Sequence, residues 1–107
     1  MRAEEALRQS KNNFIESDIR NGSAVIFQES GAASECFRLF FVPRRENEVC
    51  GLSIETVEVG VYDDLDIAIT IACIGYGAYE SNWKPAAQSR SDSLTEILNT
   101  IAGSIRR

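Results

Sequence analysis

With 107 residues, 44% of them hydrophobic and 25% charged, the chain has the size and composition of one globular domain, residues 1–107, able to bury roughly two-thirds of the surface its unfolded form exposes. A formal net charge of −5 argues against a nucleic-acid-binding or anionic-membrane surface, because both need a basic patch. There is no histidine, so Ser-His-Asp and Cys-His arrangements are excluded and the commonest general base near neutral pH is missing.

The first residues, MRAEEALRQSKNNF, mix both charge signs and carry no apolar h-region. No run approaches the roughly 20 apolar residues of a membrane span, so a cytoplasmic protein is expected. Cys36, Cys50 and Cys73 are odd in number and widely spaced, which predicts three reduced thiols rather than a disulfide framework.

Ala3, Ala6, Leu7, Phe14 and Ile15 share one stripe over residues 3 to 16, which predicts an amphipathic helix. Asn21-Gly22 marks the turn where helix gives way to strand. Residues 24–28 and 36–42 are rich in aromatic and β-branched types and read as an antiparallel pair joined through Ser30-Gly31-Ala32-Ala33-Ser34. Pro43 ends the second of them, residues 44–48 form a solvated connection, and another strand begins near Leu52. Val57, Val59 and Val61 alternate after a register change near Thr56, a candidate bulge. Beyond Tyr62-Asp63-Asp64, the residues Leu65, Ile67, Ile69, Ile71 and Cys73 alternate again, which predicts a hairpin with Asp63 and Asp64 in its turn. Gly75 and Gly77 read as strand punctuation, and Lys84-Pro85 closes the β region. Ser93 and Glu96 form a capping box ahead of Leu94, Ile97, Leu98 and Ile101, with Gly103 as the terminator, which predicts a C-terminal helix. The expected class is α+β: an N-terminal helix, a four- to five-stranded antiparallel sheet, and a C-terminal helix packed on one face of the sheet.

Candidate chemistry is sparse. The cysteines lack histidine and a C-x-x-C spacing, so no metal is expected there. Asp63, Asp64 and Asp66 lack the spaced ligands of a calcium loop; they read as a polar turn or, with Glu58 and the edge of Tyr62, as an acidic contact for Lys or Arg on a partner. Gly75-Tyr76-Gly77 begins like a dinucleotide fingerprint, but Glu80 stands where the third glycine belongs, so no cofactor is expected. Tyr76, Tyr79 and Trp83 cluster with Glu80 in the manner of an interface hot spot, or else plug the end of the core, with Trp83 the foremost candidate for that.

No residue set supports ordinary enzyme chemistry, and a binding protein is expected. Small size and acidity point first to an immunity or antitoxin-type inhibitor of a basic bacterial toxin, such as a nuclease domain. A secretion chaperone or adaptor is the alternative, as is a homodimeric structural or small-ligand-binding domain. Apolar residues on both faces of the 36–42 strand imply more apolar surface than two short helices hide, which leaves a dimer seam, a partner site or loop cover as its fate.

Overall fold

In the computed structural model, which describes residues 1–20, 22–30, 35–43 and 57–86, the chain runs α1 (Ala3–Gln9), β1 (Phe14–Ile19), β2 (Gly22–Ser30), β3 (Glu35–Pro43), β4 (Val57–Tyr62), α2 (Leu65–Tyr76) and β5 (Lys84–Pro85). The fold is α+β. The strands form one antiparallel sheet in the order β4-β3-β2-β1-β5, and both described helices pack on the same face of it. β1 to β4 is therefore a meander, and α2 returns the chain across the sheet to the opposite edge. The predicted strand near Leu52, the register change at Thr56, Cys50 and the capping-box helix from Ser93 lie outside the described residues.

The β2–β3 pair is the longest, in register from Gly22↔Pro43 to Ser30↔Glu35, and it contains both strands predicted as a pair. β3 and β4 pair with a register shift between Leu39 and Phe40, so Val59 is an extra residue that packs toward the helix side.

Two expectations fail for identifiable reasons. The first helix stops at Gln9, and Phe14 and Ile15 belong to β1. Between them the Ser10 hydroxyl donates toward Phe14 O (3.0 Å), Asn12 Oδ1 accepts the Phe14 N–H (3.1 Å), and Asn13 takes φ 63°. Short polar side chains that bond nearby backbone compete with the helix ladder, and Ser10 and Asn12 do so here beside Asn13 in its left-handed conformation.

The second failure is the hairpin arm at 65–73, which is the helix α2. The alternating residues suit a strand, but Leu65, Ala68, Ile69, Ala72, Cys73 and Tyr76 repeat equally well at helical spacing. The ends decide between the two. Asp64, in extended backbone, accepts the Asp66 N–H at 2.9 Å as N-cap, and Gly77 at φ 79° accommodates the left-handed turn that stops the helix. Lys84-Pro85, expected only to close the β region, pairs with Glu16 and Ile15 as the last strand among the described residues.

The helix-side core joins Ala3 and Ala6 of α1, Ala68 and Ala72 of α2, and Ile15, Ile26, Leu39 and Trp83 beneath them. Alanine at the contact positions lets each helix sit close to the sheet. The other face buries Phe14, Val25, Phe40 and Ala86.

Candidate interaction surface

The side of α2 that meets the sheet is buried at Ala68 and Ala72, while its outward side carries Ile67, Thr70 and Ile74. Ile67 is 48% exposed, Ile74 83% exposed, and Tyr79, just past the helix, 71% exposed. Positions 67 and 74 are two turns apart and fall on one line. Between them the Thr70 hydroxyl donates to Asp66 O at 2.7 Å, which satisfies it within the helix and leaves its methyl group as outward apolar surface. A helix that is apolar nearly all round belongs in an interior; α2 carries Asp66 as its one charge and, among the described residues, is covered on one side.

Beside this strip lies a groove of about 350 Å³, walled by Arg2 and Glu4 at the start of α1, by Asp66, Ile69 and Cys73 of α2, and closed by Glu80. Its N-terminal wall is fastened in place. Met1 N donates to Trp83 O (3.0 Å), Trp83 N donates to Met1 O (2.8 Å), and Arg2 pairs with Glu80 (3.0 Å) across an exposed surface. Glu4 and Asp66 sit in the first turns of their helices, where the helix dipoles favour negative charge. Asp63 is exposed at the same end. Among the described residues no cation pairs with Glu4, Asp63 or Asp66.

The residues anticipated for a partner surface divide accordingly. Asp63, Asp66, Tyr79 and Glu80 lie exposed along α2 and its ends, and Asp64 serves as the helix cap. Glu58 is on the opposite face of the sheet, where its carboxylate accepts from Arg38 Nη1 at 2.7 Å while Glu29 accepts from Arg38 Nε at 2.6 Å. Those hydrogen bonds, Glu29 first, hold the Arg38 guanidinium even more firmly protonated than usual. Tyr62 is half-buried and folds back over Gly60, where any side chain would collide with its ring. Tyr76 is half-buried and stacks on Phe41 with ring centroids 5.5 Å apart. Trp83, 1% exposed, is a core residue.

Cys36 and Cys73 are free, half-buried thiols on opposite faces. Burial pushes both thiols up from their ordinary pKa, assisted by the Glu29 carboxylate at Cys36 and by Glu80 at Cys73.

Ile67, Ile74 and the carboxylate of Glu4 were not singled out as surface features: alternation assigned Ile67 to a strand face with Leu65, Ile69, Ile71 and Cys73, and Ile74 and Glu4 were given no surface role. The N-cap aspartate and the stop glycine around an apolar run were the legible signals. No family model matches the chain, and no curated protein or solved structure is significantly similar to it, so its functional reading rests on the geometry of this surface.

Proposed function

We propose that this chain is a cytoplasmic binding protein of the immunity or antitoxin kind, which neutralises a basic toxin domain, such as a nuclease, by direct contact. The observation that carries the reading is the outward side of α2, an exposed apolar strip beside carboxylates that no cation within the described residues neutralises. Apolar area supplies affinity, and a surrounding field of one sign steers and selects an oppositely charged partner. The absence of histidine from the sequence fits a protein that acts by occupying a surface.

The test is co-expression with candidate toxins encoded beside its gene. The expected result is rescue of growth together with a complex that co-elutes in gel filtration and weakens with salt. Absence of both rescue and complex overturns the reading. A secretion chaperone draws on the same apolar strip, and it is distinguished by binding an unfolded client segment in preference to a folded domain.

A further inference from the structure

The outward side of α2 has a shape and a charge pattern that narrow what docks there. We propose that it receives a cationic amphipathic helix, with one arginine or lysine of that helix entering the groove between α1 and α2. This inference rests on the binding-protein reading and deepens it.

Ile67 and Ile74 are spaced by seven residues, about 10 Å along the helix axis, which matches the i to i+7 anchors of a partner helix laid alongside. Tyr79 follows just past Gly77, and all three side chains are substantially exposed. The groove is too small for a cofactor-sized ligand to be enclosed, lying at the low end of the roughly 300–1,000 Å³ of ligand clefts. It suits a single long side chain. Ile69, Cys73 and Ile74 offer an apolar wall to an aliphatic stem, and Glu4 and Asp66 stand at the rim where a cationic head would end.

Charge also decides against a second copy of this chain. Two-fold pairing along α2 sets either Asp66 against Asp66 or Asp66 against the Glu80 end, and each copy carries a formal net charge of −5. A partner with Lys or Arg flanking its apolar face meets complementary groups at both the strip and the rim.

The probe is a fluorescein-labelled amphipathic peptide of leucine and arginine, about 14 residues or four turns long. It is compared with an isomer of identical composition whose order destroys the apolar face. The expected result is binding of the amphipathic peptide alone, with amide shifts concentrated at Ile67, Thr70, Ile74 and Tyr79. Asp66→Lys and Ile74→Ser should each weaken binding by about fivefold or more, whereas Asp18→Lys, an equal charge change on the other sheet face, should change it by less than about twofold. Ile74 is exposed, so its variant keeps the fold, which circular dichroism checks. Equal binding of the two isomers, equal loss with Asp18→Lys, or concentration-dependent self-association that Ile74→Ser abolishes each overturns the proposal. A neutralised toxin whose complex ignores Asp66→Lys and Ile74→Ser overturns this surface and leaves the proposed function standing. Failure to neutralise any toxin overturns the proposed function by itself.

Discussion

On the helix side of the sheet, Ile15, Ala24, Ile26 and Leu39 form one apolar layer beneath α1 and α2. On the opposite side, buried Phe14, Val25 and Phe40 alternate with charged residues, including Glu16, which is 5% exposed, and the Arg38 guanidinium between Glu29 and Glu58. Burial on the first side needs only apolar volume, which many side chains supply. Burial on the second needs each charge matched with an opposite one as well, because an unmatched carboxylate or guanidinium out of water is costly. The helix side should therefore tolerate apolar exchange, and the opposite side should punish any change of charge.

The largest effects test whether both sides are true cores. Trp83 on the helix side and Phe40 on the other are each 1% exposed, so Trp83→Ala and Phe40→Ala should each cost about 3–5 kcal/mol in urea denaturation. Trp83→Phe should cost clearly less than Trp83→Ala, since the indole Nε1 is buried with no hydrogen-bond partner among the described residues and no such bond is lost with it. A Phe40→Ala cost below about 1 kcal/mol would reduce the second side to a covered surface.

Next comes the charge matching itself. Arg38→Met leaves the Glu29 and Glu58 carboxylates without their cation and should cost about 2 kcal/mol. Adding Glu29→Gln and Glu58→Gln to that variant should recover most of the loss, because the neutral amides no longer need a guanidinium. A triple variant no more stable than Arg38→Met would show that the arginine acts through packing of its stem.

How much of this was legible in the sequence follows the same division. The β2–β3 pairing was readable because two short runs rich in aromatic and β-branched residues flank a small polar stretch, and Pro43 ends the second. α2 was misread because residues 65–76 are apolar at nearly every position, and such a run satisfies both periods at once. The candidate surface inherited that error: with Ile67 assigned to a strand face and Ile74 given no role, only the acidic and aromatic residues around them remained visible. The Arg38 cluster was invisible for a different reason. Glu29, Arg38 and Glu58 are brought together by register across three strands, and no local spacing encodes that.

The cover on the helix side can be probed at two nearby glycines with opposite expected signs. Gly77 ends α2 at φ 79°, so Gly77→Ala should destabilise the protein by about 1 kcal/mol. Gly75 lies inside the helix with open space where a Cβ would stand, so Gly75→Ala should stabilise it by about 0.5–1 kcal/mol. Thermal denaturation of the two variants reads the difference, and a matching sign for both would mean that α2 does not end at Gly77.

The smallest effect uses one thiol on each side, in a Cys50→Ser background. Burial is the main cause that raises the pKa of both Cys36 and Cys73, so the protonated thiol is favoured in the folded chain and alkylation should be slower than in the unfolded chain at neutral pH. For the same reason each thiol contributes stability that is fully present below the ordinary thiol pKa and is lost as pH rises through the higher folded value. The second causes differ by side: Glu80 acts on Cys73, and Glu29 on Cys36 with Arg38 opposing it. Glu80→Gln should then speed alkylation of Cys73 and leave Cys36 unchanged. Salt should mimic that variant at Cys73, because the Glu80 carboxylate is exposed and easily screened. Mass spectrometry of the two labelled peptides resolves the rates, and a Cys73 rate equal to that of the unfolded chain would mean that the groove beside α1 does not shelter it.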